Sequence, residues 1–328
     1  MRLSCLPLRF RALNPKSPTI NSVPQTLPIP PAHVPALLSL PAPELDAPPP
    51  SRLWHLASLW HLTSLDAPTV AVIWSLAFAS AAQVRLPLWI PPLLALAAWA
   101  VYIGDRLLDA RSALRTANLA TLRDRHRFHH RHRRLLLPVA IAAALAAAWL
   151  VFTQMPIAAR ERNSALAVAA LAYFTRVHSP LTLPSFGLSR LLKKEFLVGL
   201  LFTAACALPA IGRMTAPGLP SAWPLYAGAT FFALLAWLNC HAIDAWESST
   251  TLGEPKIQTQ AALLASAGLT IALLLAPTHS RFAALVACGV ASAFLLALLD
   301  RVRPRLTPHA LRAAADLVLL TPLALLLA

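Results

Sequence analysis

From residue 68 onward the chain alternates between long apolar runs and short polar or basic connections. The runs lack the two-residue alternation of barrel strands, so the pattern predicts helices in lipid. Crossing ~30 Å of hydrocarbon at ~1.5 Å per residue takes about 20 residues. Nine runs approach that length: Pro68–Ala82, Leu88–Leu108, Leu135–Phe152, Ser164–Arg176, Glu195–Ile211, Trp223–Ile243, Ala261–Ala276, Phe282–Leu299 and Leu311–Ala328. The fourth is the shortest. The expected fold is all-α: a polytopic membrane protein with nine transmembrane helices over residues 68–328.

Residues 1–67 follow another pattern. The stretch Leu27–Pro50 is proline-rich and is expected to be disordered, because proline removes a donor and fixes φ. The first sixteen residues are basic but have no apolar core long enough for a signal peptide. The near-repeat LWHLASLWHLTSL, Leu53–Leu65, reads either as a short interfacial helix or as an extension without a role.

Composition agrees with the pattern. The chain is 57% hydrophobic and only 12% charged, with a mean hydropathy of +0.61, whereas a soluble domain carries about 25% charged residues. The net charge is +15, nearly all from arginine. Because the basic residues sit between apolar runs, topology and anionic lipid head groups account for them better than nucleic acid, which is not expected as a partner. From residue 68 on, eighteen Lys and Arg fall on one side of the predicted spans and five on the other. That excess puts the N-terminus in the cytoplasm of an inner (plasma) membrane protein. The basic stretch 111–134 is expected to lie on anionic lipid. Its histidines (His126, His129, His130, His132) alternate with arginines that would repel a metal ion. Cys5, Cys206, Cys240 and Cys288 are far apart, without metal-type spacing, and no disulfide is expected.

Only thirteen carboxylates serve the whole chain. Five fall at the cytoplasmic ends of predicted helices: Asp105, Asp109, Glu195, Asp244 and Glu247. Ionisable groups at membrane depth are costly, so they point to function. Asp105 and Asp109 are spaced i,i+4, and Asp244 and Glu247 i,i+3, so each pair shares one helix face. Paired carboxylates repel unless a cation sits between them, and Mg²⁺ takes hard oxygen ligands and shares them with phosphates. The other explanation is a solvated helix end laced with ion pairs.

At this point the layout resembles the UbiA superfamily of intramembrane prenyltransferases, in which aspartate-rich motifs on the second and sixth of nine helices face a cytoplasmic-side cavity. The family's first motif is N-D-x-x-D-x-x-x-D. GDRLLD supplies its last two aspartates as Asp105 and Asp109, while Val101 and Tyr102 stand in the Asn and first Asp positions. WLNCHAIDAWES offers Asn239, Asp244 and Glu247 for the second motif, at a shorter spacing than D-x-x-x-D. YFTRVHS, with Tyr173 and Arg176, and LLKKEF, with Lys193, Lys194 and Glu195, resemble the family's Tyr and basic residues around the fourth helix and the loop after it.

The resemblance implies an isoprenyl diphosphate as substrate and an aromatic or other lipid-soluble acceptor. Mg²⁺ would be held by Asp105, Asp109, Asp244 and Glu247, and phosphate oxygens by Arg176, Lys193 and Lys194. Tyr102 and Tyr173 would shape the pocket or stabilise an allylic cation through their π-faces. Each also fits ordinary helix packing, and both lysines also fit positive-inside signalling. Asn239 either orients a ligand water or bridges helices. His241 reads as a packing residue or as a proton acceptor. The rival class is a lipid-binding or transport protein without catalysis on the same scaffold.

Overall fold

Alanine and leucine dominate the apolar runs, and both favour helix. A computed structural model of the protein describes residues 52–116, 124–178, 194–214, 222–248 and 256–327, with no strand among the described residues. The helices are α1 Arg52–Leu62, α2 Asp66–Ala81, α3 Ile90–Thr116, α4 Asp124–Gln154, α5 Ile157–His178, α6 Lys194–Met214, α7 Trp223–Ser248, α8 Lys256–Leu275, α9 Ser280–Val302, α10 Pro308–Leu317 and α11 Leu323–Leu327. Residues 50–328 form one compact unit. The expectation of disorder for Leu27–Pro50 lies outside the described residues.

Among the described residues, five helices are long and apolar enough to cross a membrane: Arg125–Gln154, Lys194–Met214, Trp223–Glu247, Ile257–Leu275 and Ser280–Arg305. A sixth arises if Leu56–Leu62 and Asp66–Ala81, bent by 93°, count as one broken span. The described residues are therefore all-helical with five or six candidate spans, where the sequence pattern predicts nine. Three elements account for the difference from six, and α2, 16 residues long, is a fourth where the bent pair is not counted. Helices α3 and α5 have the length, 27 and 22 residues, but the charged turns at Asp105–Arg106 and Arg160–Arg162 dilute their apolarity. The ninth run is broken: α10 passes through a 3-10 turn at Val318–Leu320 before α11.

The break is built into the packing. Carbonyls freed at a helix break in an apolar interior need new donors. The Leu319 carbonyl accepts from Trp74 Nε1 at 2.9 Å, and the Val318 carbonyl from Ser292 Oγ at 2.7 Å. Thr321 Oγ1 donates to the Cys288 carbonyl at 2.7 Å. Trp74 in turn stacks on Phe232, with ring centroids 3.8 Å apart and 17° between planes. Phe78 meets the same Phe232 ring edge-on at 5.9 Å. This aromatic group is the centre of a core shared by α2, α6, α7, α8 and α9.

Helix α4 differs from its predicted segment by beginning at Asp124, so the Arg- and His-rich stretch forms its first turns, continuous with the apolar part. Leu145, Trp149 and Phe152 point outward along it and are mostly exposed, as lipid contact requires.

Helices α6 and α7 approach closely at Gly199. A Cβ there would lie 2.8 Å from the Trp237 backbone nitrogen, which cannot move aside as a side chain can. Gly199→Ala is therefore expected to push the two helices apart and cost about 1–3 kcal/mol, read as a lower melting temperature in detergent.

Candidate functional site

The connection between α1 and α2 turns the chain sharply, with Ser64 at φ 57°. This elbow is held by its neighbours. Trp99 Nε1 of α3 donates to the Thr63 carbonyl at 2.9 Å, and Ser64 Oγ lies 3.3 Å from His129 Nε2 of α4. The turn brings His61, in the last turn of α1, against Asp66, the first residue of α2. His61 Nδ1 is 2.8 Å from Asp66 Oδ2 and 3.2 Å from Asp316 Oδ2 on α10. Two carboxylates from different elements thus converge on one ring nitrogen. All three residues are buried, with exposures of 3%, 1% and 8%.

The outer oxygens of both carboxylates are also engaged. Asp66 Oδ1 accepts from the Ala67 N–H at 2.9 Å, and Asp316 Oδ1 from Asn239 Nδ2 of α7 at 3.4 Å. The Asn239 amide oxygen is buried without a hydrogen-bond partner. Arg106 of α3 is buried nearby, 5.0 Å above the Tyr102 ring, within electrostatic reach of Asp66, Asp316 and Asp105. Among the described residues, His61, Asp66 and Asp316 are the one set of three or more His, Cys, Asp or Glu whose donor atoms lie within 4.8 Å of one another.

The residues singled out in the sequence are distributed around this centre. Asp105 and Asp109 sit half-buried on α3. Tyr173 of α5 lies within reach of the charges of Asp105, Glu195 and Asp109. Next to Asp105, a Cβ on Gly104 would be 3.5 Å from Phe174, so α3 and α5 meet there. Cys240 of α7 lies within reach of Asp316, Glu195, Arg106 and Lys194. Lys194 is exposed at the start of α6. Lys193 and the Arg176 side chain lie outside the described residues.

The second acidic pair stands differently. Asp244 is exposed. Glu247 accepts from Arg125 Nη2 of α4 at 3.3 Å and, through its other oxygen, from Arg312 Nη1 of α10. It joins α4, α7 and α10. Asp105, Asp109, Asp244 and Glu247 form no set of three within metal-sharing distance among the described residues. His241 stacks on Trp237, with 2° between planes and centroids 5.6 Å apart, which suits a packing residue.

Sequence spacing does not single out His61, Asp66, Arg106 or Asp316. One signal was present: Asp316 interrupts the ninth apolar run, and a carboxylate inside such a run points to a buried partner. No family model, no curated protein and no solved structure matches the chain.

Proposed function

We propose that the protein is a divergent member of the UbiA superfamily, with nine membrane segments and a cytoplasmic N-terminus in the inner membrane. It binds an isoprenyl diphosphate with Mg²⁺ and transfers the isoprenyl group to an aromatic or other lipid-soluble acceptor. One observation carries this reading: acidic, basic and tyrosine side chains from α3, α5, α6 and α7 share one charged neighbourhood, with Glu195 in reach of both Tyr173 and Cys240.

Asp105 and Asp109 suit Mg²⁺, being hard oxygen donors one helical turn apart. Asp244, exposed on α7, would add a third carboxylate only by moving toward that pair, and Glu247 reaches a metal only by releasing Arg125 and Arg312. Bound Mg²⁺ would neutralise charge on the leaving diphosphate. The chain's own residues do the rest. Lys194, with Lys193 and Arg176, holds phosphate oxygens. Tyr102 and Tyr173 face the allylic cation left when the C–O bond ionises. Asn239 orients the end of the site nearest α10. The acceptor attacks that cation and loses a proton. The basic start of α4 draws the anionic substrate toward the membrane surface.

Detergent-purified protein is expected to melt higher with geranylgeranyl diphosphate and Mg²⁺ than with either alone. At a ligand concentration of ~100 Kd the stabilisation is about 2.7 kcal/mol, and Asp105→Asn loses it. No shift with any prenyl diphosphate would overturn the substrate class.

A second reading is lipid binding or transport without turnover. The engagement of Glu247 by two arginines favours it. A Mg²⁺-dependent shift with no product from quinone or phenol acceptors would put it first.

A further inference from the structure

The cluster at the α1–α2 elbow borders the proposed diphosphate site at Asn239, but that reading uses none of His61, Asp66 and Asp316. Buried like charges are held together only by a shared proton or a cation. Here two carboxylate oxygens face one imidazole nitrogen, at 2.8 Å and 3.2 Å. A single N–H serves one of those oxygens well and the other poorly. A cation among the three would serve all of them. Arg106 lies in reach of Asp66, Asp316 and Asp105, so its single positive charge is shared among three carboxylates.

The surroundings resemble an outer shell around a metal. Ligating carboxylates commonly have their remaining oxygen held by a donor. Asp66 Oδ1 is held by the Ala67 N–H and Asp316 Oδ1 by Asn239 Nδ2. The independent sign is the Asn239 amide oxygen, unpartnered in a residue only 4% exposed whose nitrogen already donates to Asp316. A water bound to a cation at the cluster would donate to it.

We propose that His61 Nδ1, Asp66 Oδ2 and Asp316 Oδ2 bind a divalent transition-metal ion of the Zn²⁺ class, completed by a water on Asn239, and that the ion pins the α1–α2 elbow to α10. One imidazole nitrogen with two carboxylate oxygens suits Zn²⁺ better than Mg²⁺ or Ca²⁺, which take oxygen alone. Two carboxylates neutralise its charge. Tetrahedral ligands at ~2.0–2.1 Å stand about 3.3 Å apart, so His61 Nδ1, at 2.8 Å from Asp66 and 3.2 Å from Asp316, needs to draw back by about 0.5 Å from the first and about 0.1 Å from the second.

The test is elemental analysis of full-length protein purified in detergent without chelator or diphosphate, beside melting curves. About one equivalent of Zn²⁺ per chain is expected, with a melting temperature that falls on chelation and recovers with added Zn²⁺. Asp316→Asn, which keeps the side chain's shape, is expected to retain under about a tenth of that metal. If it fails to fold, the wild-type measurement still decides. Wild type with no transition metal and no melting shift on adding Zn²⁺ or Mn²⁺ overturns the proposal and leaves a proton-sharing cluster. Metal retained in full by both Asp316→Asn and His61→Gln overturns it as well.

Discussion

Replacing Asp66 with alanine is expected to lower stability by about 3–5 kcal/mol and to loosen α1 from the bundle. The carboxylate is 1% exposed and holds His61 at 2.8 Å. Its removal takes away one of the two acids facing the imidazole and weakens the compensation of Arg106. The cost comes from a broken buried pair more than from one lost hydrogen bond. The melting temperature in detergent should fall well below that of Arg281→Ala, an exposed control expected to stay within about 0.5 kcal/mol of wild type. Protease cleavage near Thr63–Leu65 should speed up in parallel. The triple change H61L/D66L/D316L should melt above Asp66→Ala alone, since exchanging a whole ionic set for apolar groups often costs little. Wild-type melting by Asp66→Ala would mean the cluster holds nothing together.

Trp74→Ala is expected to cost a similar amount, about 3–5 kcal/mol, for a different reason. The indole is 1% exposed, stacks on Phe232 and donates to the Leu319 carbonyl. Alanine opens a cavity at the centre of the core and leaves that carbonyl without its donor in an apolar interior. Trp74→Phe keeps the ring contact and loses the N–H, so its cost should be about 1–3 kcal/mol. Thermal melts of the three proteins should rank wild type, Trp74→Phe, Trp74→Ala. Equal losses for both substitutions would place the whole effect in the hydrogen bond and none in the packing.

The two features differ in how far the sequence reveals them. The apolar runs mark the helices because a helix is a local structure whose composition and period sit within one window. Asp105 and Asp109 stand out for the same reason, one turn apart on one element. The elbow cluster does not, since its members come from α1, α2 and α10 and meet only when the bundle closes. Ser58 and His309, whose side chains touch beside it, are 251 residues apart. The broken ninth run was partly legible: Pro322 lacks an N–H for a helix and disfavours helical backbone at Thr321 before it. What no pattern shows is that Trp74 and Ser292 are placed to receive the freed carbonyls. Glu247 makes the same point in reverse. Its spacing from Asp244 suggests a shared cation, while its partners Arg125 and Arg312 lie 122 and 65 residues away.

The indole of Trp74 and the carbonyl of Leu319 are separated by 245 positions along the chain, and this has a consequence for biogenesis. During synthesis α2 is made early and waits for a partner that the ribosome has not yet made. Until Pro308–Leu327 emerges, the elbow can meet α3 and α4 and the indole can meet Phe232, but His61 lacks Asp316 and the indole N–H lacks its acceptor. Assembly thus waits on the segment that carries Asp316 and Leu319. High sequence separation of this kind slows folding, because loop closure must precede the contacts that reward it. Chains released before that segment is made should be targets for membrane quality control.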